Sequence, residues 1–294
     1  MFIRQKLIIP LGLVLYTASA SAGPILYAVS TNFNTFTGQF GTVDLATGAF
    51  NQIGPATADP LGGLVPGATG SLLSVSASGN LDSVNTATGA ISVIGATGLG
   101  DLAYTVAELN GTVYATDLNS NIYAVNTTTG VATLIGPTGM PPCPSLTDPD
   151  EVSDETLFAA GGNLYATFDG INLITSALVN SPELYQINPT TGVATPIGPT
   201  TLGLDAAVQL NGTVYGFAVG YSGSNTVVSL NLANGNTTFV TDYVTAPVAG
   251  GANAFDIEGA SPTPEPASFT LIGIGTGLVL ACGRRKRRDR KATF

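Results

Sequence analysis

Carboxylates are the side chains of this sequence whose types and spacing could do chemistry. There is no His, which removes the commonest general base and metal ligand. All nine basic residues sit at the ends, at Arg4, Lys6, Arg284, Arg285, Lys286, Arg287, Arg288, Arg290 and Lys291. A Ser nucleophile anywhere between them would lack its usual base. Of the 19 Asp and Glu residues, all but Glu265 and Asp289 lie between residues 23 and 264. Five of them crowd into the stretch 141–155, PPCPSLTDPDEVSDE: Asp148, Asp150, Glu151, Asp154 and Glu155. Hard oxygen ligands at that density suit Ca²⁺, but the EF-hand spacing is missing, and a solvated acidic loop is the competing reading. Asp101, Asp117, Asp169 and Asp205 are scattered along the chain. Two facing carboxyls would be enough to cleave a glycosidic bond, yet Asp at turns and strand ends commonly caps backbone groups. The expectation is therefore a non-catalytic protein that needs no cofactor, with Ca²⁺ as the one candidate. A paired-carboxylate glycan hydrolase or a calcium-dependent glycan-binding module is the alternative.

The charge balance limits the partners as well. With no Lys or Arg between Gly23 and Gly283, nothing in that stretch can neutralise phosphates, which excludes nucleic acid. Cations, neutral sugars and basic proteins stay open. The chain is 44% hydrophobic and 10% charged, the reverse of a disordered composition. Cys143, between Pro142 and Pro144, and Cys282 near the C-terminus are the only thiols, and no internal disulfide is expected.

The elements that must position these groups follow from a repeat. An apolar pair, Asn or Asp, a few small residues and Gly recur, followed by a short strand and Ile-Gly. The turn is Asp44–Gly48, then Asn85–Gly89, Asn126–Gly130, Asn188–Gly192 and, without the closing Ile-Gly, Asn231–Gly235. The turn glycines are spaced by 41, 41, 62 and 43 residues. Each unit divides into four short strands, with Asn110-Gly111 as a hairpin signal and Asn211-Gly212 in a repeat turn. Stacked four-stranded units of about 40–45 residues describe β-propeller blades. The fold expected is all-β: a five-bladed propeller over residues 23–259, whose blades share second strands such as Leu26–Val29, Leu164–Ala166 and Val214–Gly216. The first unit lacks a first strand, and Asn253–Ile257 stands where it could be supplied to close the ring. The 62-residue interval holds extra residues at 141–155 and around 170–182, expected as functional loops.

Both ends read as processing segments. Arg4 and Lys6, the apolar stretch Leu7–Tyr16 and the small residues Ala18–Ala22 make residues 1–22 a secretory signal peptide. At the other end a Pro-rich linker, 260–266, leads into an apolar stretch, 267–283, and a basic tail, 284–294. That stretch is marginal in length for a membrane span, and the tail should stay cytoplasmic. Pro264-Glu265-Pro266, the short apolar stretch and the Arg284-Arg285-Lys286-Arg287-Arg288 cluster together resemble the PEP-CTERM protein-sorting signal. The resemblance implies recognition by an exosortase-type membrane enzyme, transient membrane insertion and processing near the Pro-Glu-Pro. It also implies a destination at the cell surface or extracellular matrix, where extracellular polysaccharide or an envelope protein would be the partner.

Overall fold

The computed structural model describes residues 23–32, 35–100, 105–142, 151–172, 178–219, 225–243 and 255–263. The repeated turn explains itself locally. The Asn126 Oδ1 accepts from the Thr128 N–H at 2.9 Å and the Thr129 N–H at 3.1 Å, and the Gly130 N–H donates to the Asn126 carbonyl at 2.8 Å. Asn85 and Asn188 make the same contacts. Closing such a turn needs a left-handed residue, and φ is +82° at Gly130, a conformation that costs Gly little and β-branched residues much.

Five four-stranded antiparallel sheets result. The first blade contains β1 (Ile25–Asn32), β2 (Thr37–Asp44) and β3 (Phe50–Gln52). The second contains β4 (Leu61–Pro66), β5 (Ser71–Ser76), β6 (Asn80–Asn85) and β7 (Ile91–Ala96). Next come β8 (Val106–Leu109), β9 (Thr112–Thr116), β10 (Asn121–Val125) and β11 (Ala132–Pro137). The fourth blade holds β12 (Glu151–Ala160), β13 (Asn163–Asn172), β14 (Leu178–Ile187) and β15 (Ala194–Pro199). The fifth holds β16 (Ala206–Leu210), β17 (Thr213–Val219), β18 (Asn225–Leu230) and β19 (Thr237–Asp242). The final strand, β20 (Phe255–Pro262), pairs antiparallel with β1 and completes the first blade in the order β20-β1-β2-β3. The protein is a five-bladed β-propeller closed by strands from both ends of the domain. The closing strand lies further along than Asn253–Ile257 and runs three residues past 259, because its register sets Leu26 opposite Pro262.

The core is divided among the blade interfaces. Val65, Leu73 and Leu81 of the second blade meet Val106, Val113 and Ala115 of the third in one buried cluster. Similar clusters join the first blade to the second, the third to the fourth and the fourth to the fifth. The ring closure has its own, where Leu26, Ala28 and Ile257 pack with Ala206, Phe217 and Val227. Third strands such as Asn121–Val125 bury Ile122 on one face and Val125 on the other, so the sheets are covered on both faces.

At the rim, the end of each outer strand abuts the Gly turn that begins the outer strand of the next blade. A Cβ on Gly130 would stand 2.3 Å from the Gly95 carbonyl oxygen, and one on Gly48 only 1.8 Å from that of Asp242. Gly54 with Gly89, Gly136 with Gly192 and Gly198 with Gly235 repeat the contact. The recurring turn Gly and Ile-Gly are thus the two halves of one seam between neighbouring blades.

The extra length of the fourth blade is strand rather than loop over much of its course. Glu151↔Asn172 to Ala160↔Asn163 form one continuous ladder, and β14 pairs onward from Leu178. Antiparallel pairing satisfies backbone groups that a loop would leave to solvent, so Glu151, Asp154 and Glu155 belong to a strand.

Candidate functional site

The first strands line a central channel, and they run in the same direction around it. The Leu157 N–H donates to the Thr105 hydroxyl at 2.5 Å, the Thr156 hydroxyl to the Leu204 carbonyl at 2.6 Å and the Gly161 N–H to the Gln209 Oε1 at 3.0 Å. The channel holds a cavity of about 230 Å³ lined by all five first strands, among them Gly63, Val106, Leu157, Ala206 and Gly259. A Cβ on Gly259 would stand 2.6 Å from the Gly63 backbone, so the two strands meet closely there.

The shared direction gives the ring two unlike ends. At the starts of the first and third strands and the ends of the second lie Asp82, Asp117, Glu155, Asp169, Asp205 and Asp256. At the opposite end are the turns between first and second strands, Gly67–Gly70, Asn110-Gly111, Gly161-Gly162 and Asn211-Gly212, none of them charged. Glu108 lies near that end, where its carboxylate accepts a short hydrogen bond from the Gly111 N–H, and Asp44 stands there too, opposite Ile25 at the head of its Gly turn. In place of a fifth turn stand the two ends of the domain, joined by the Thr263 hydroxyl donating to the Ile25 carbonyl at 2.7 Å.

The carboxylates at the acidic end differ in state. Asp117 sits in a turn after β9. Its Oδ1 accepts from the backbone N–H groups of Asn119 and Asn121, both at 2.9 Å, and its Oδ2 from the Tyr123 hydroxyl at 2.8 Å. Burial pushes its pKa up, but hydrogen bonds from Asn121, Tyr123 and Asn119 outweigh that and hold it below the ordinary carboxylate value. Glu155, across the boundary between the third and fourth blades, is the opposite case. Burial, with the Asp117 charge adding to it, pushes its pKa up to about 7 against hydrogen bonding with Thr116 and Ser120. Its Oε1 is shielded from solvent and accepts no hydrogen bond. Asp82 is 2% exposed. Burial raises its pKa against a hydrogen bond from Ser76, and the Asp59 carboxylate raises it further. Two carboxyls with pKa values moved apart form a pattern seen in acid–base sites. Here, however, the ionised member is occupied by its own turn, and the Oε1 of the other is shielded from solvent.

Of the residues expected to bind metal, Glu151 and Asp154 have a described strand backbone, Glu155 a described side chain, and Asp148 and Asp150 lie outside the described residues. Among the described residues no group of three or more Cys, Asp or Glu side chains is disposed to hold a metal ion. Of the scattered carboxylates, Asp117, Asp169 and Asp205 come together on one end of the ring, and Asp101 lies outside the described residues. Asp82, Asp256 and Glu258 were not singled out by spacing. Asp82 did carry a signal: it holds the position that Tyr123 and Tyr185 hold in the aligned third strands. Asp205 and Glu258 both line the channel cavity.

Residues 1–22, expected as a signal peptide, and the segment 264–294 with Pro264, Glu265, Pro266 and the basic cluster lie outside the described residues, as does Cys143. Among the described residues no helix is long and apolar enough to cross a membrane. Residues 262–288 match the PEP-CTERM protein-sorting motif. The motif indicates export with a membrane-anchored sorting signal, and it implies processing by an exosortase, a membrane enzyme. No curated protein matches the chain. Among solved structures, a protein of unknown function from Bacteroides thetaiotaomicron is similar at 16% identity with a TM-score of 0.46, covering 80% of this chain and 60% of its own. The Dos1 propeller is similar at 10% identity with a TM-score of 0.40, over 76% of this chain and 62% of its own. The chain thus spans less than two thirds of the length of these relatives.

Proposed function

We propose that this chain is a non-catalytic presentation module, delivered to the cell surface or extracellular matrix by its sorting motif. Its propeller binds extracellular polysaccharide or an envelope protein through the acidic end. The observation that carries the reading is the gathering of Asp82, Asp117, Asp169 and Asp205 at one end of a ring that contains no basic residue. Such an end attracts cations and basic surfaces and repels anions. Neutral glycans fit it by hydrogen bonding to carboxylates, and Ca²⁺ could bridge an anionic polymer to it.

One observation favours a second reading, a glycan hydrolase: Asp205 and Glu258 line the same cavity from neighbouring first strands. A single experiment separates the two. The processed protein released by the cells is assayed for retention on extracellular polysaccharide and for release of reducing ends, each with and without Ca²⁺. Retention without turnover is the expected result. Turnover abolished by Asp205→Asn would replace the binding module with the hydrolase.

A further inference from the structure

We infer that, while the precursor is anchored, its turn end, with fewer carboxylates than the other, lies against the lipid bilayer and its acidic end faces away from it. This orientation rests on the reading that residues 267–283 insert into the membrane.

Three observations fix it. First, β20 is the innermost strand of its blade and finishes at the turn end, where Thr263 is tied to Ile25. The chain therefore leaves the ring beside the channel, near its axis, and not from the rim. Secondly, only residues 264–266 separate Thr263 from the apolar stretch. Four Cα–Cα steps reach at most about 14 Å even when fully extended. Three strand spacings of about 4.8 Å already carry a blade about 14 Å outward from its own first strand, and the channel adds to the half-width of the ring. A ring turned on its side would have to lift its axis higher than that tether allows.

The third observation is electrostatic and independent of the tether. The turns that would meet the headgroups, such as Asn110-Gly111, Gly161-Gly162 and Asn211-Gly212, are exposed, polar and uncharged. Beside them on the same end stand the exposed aliphatic side chains of Ile25, Val131 and Val193, and the carboxylates of Asp44 and Glu108. The acidic end, if turned toward anionic lipid, would be repelled within a Debye length of about 8–10 Å. The eight residues of β20 place it about 26 Å away. Tether and charge select the same orientation. It leaves the acidic end open to a partner before the chain is cut, and it puts the Pro-Glu-Pro at the membrane surface, where the processing enzyme resides.

The test uses the full chain, with Cys143→Ser and Cys282→Ser, in vesicles of phosphatidylethanolamine and phosphatidylglycerol. A fluorophore is attached either at Thr69→Cys, in an exposed turn of the turn end, or at Asn119→Cys, exposed at the acidic end. Energy transfer to a headgroup-labelled lipid is then compared. The height difference predicts quenching at least about twofold stronger from the Thr69 position. Equal quenching, or stronger quenching from the Asn119 position, in vesicle-bound chain would overturn the orientation while leaving the anchoring intact. A chain that fails to float with the vesicles would instead overturn the anchoring reading, and the orientation with it.

Discussion

The two ends of this ring are held together by different physics. At the turn end and along the rim seam, backbone fit does the holding: Gly130 carries φ of +82° and approaches the Gly95 carbonyl too closely to admit a side chain. Nothing in that contact titrates. At the acidic end the same backbone carries Asp82, Glu155 and Asp117 into a setting with no cation of the domain to pair with. Each is accommodated separately, Asp117 by hydrogen bonds to its ionised form and Glu155 by retaining its proton. A fold built from one repeated unit thus holds its seam by backbone fit that does not titrate and sets carboxylates whose state depends on protonation at the acidic end. A propeller can vary its side chains at strand starts without disturbing the turns that close it.

The largest effect should come from removing the element that spans both ends. Ending the chain after residue 254 deletes β20, and with it Ile257 and Ala260 from the buried closure cluster. Losing a whole buried strand should cost on the order of 5 kcal/mol or more. Thermal unfolding followed by circular dichroism should then show a broad transition in place of one cooperative step. An unchanged midpoint would mean that the closure contributes nothing.

The seam itself is tested next. Gly130→Val meets both the left-handed backbone and the Gly95 carbonyl, for an expected loss of about 4 kcal/mol from strain and overpacking together. Gly111→Ala shares the positive φ, at +83°, but has open space around it. Its cost should be only about 1 kcal/mol. Both losses should be the same at pH 5 and pH 8. Denaturant titration of the two variants checks the ratio, and similar costs would show that backbone strain and not the seam contact dominates.

Glu155→Gln sharpens the contrast from the acidic side. The folded chain holds this proton up to about pH 7, whereas the unfolded chain releases it near 4.5. Between those values the native state binds more protons, so stability falls as pH rises, by up to about 3 kcal/mol. Gln keeps the shape without the charge. The variant should match the parent near pH 4 and exceed it near pH 8, with the difference opening across that window. Parallel stability curves for the two would show that Glu155 is ionised in the fold without penalty.

The repeat was readable because its signals are local. An Asn at the head of a turn and a Gly at its end act within five residues, and the same physics recurs wherever they do, as at Asn126–Gly130 and Asn188–Gly192. The sorting motif was readable for the same reason, as a short ordered string matched at residues 262–288. The polar stretch around Glu155 read as a loop because its ten-residue strand contains five polar residues, Glu151, Ser153, Asp154, Glu155 and Thr156. Pairing with β13 decided otherwise.

What the sequence determined by itself was therefore the unit and its count: four strands, the turn between them, five repeats and the two processing segments expected at the ends. Which residues share a face was decided only by closure. Asp82, Asp117 and Asp205 come from different blades at unequal spacings, and they look scattered until the first strands align in one direction around the channel. Strand direction reverses at every turn, so whether a carboxylate lands on one end or the other depends on which strand holds it and how near a turn it lies. Spacing alone carries neither fact. The ring had to close before the acids had an end to gather at.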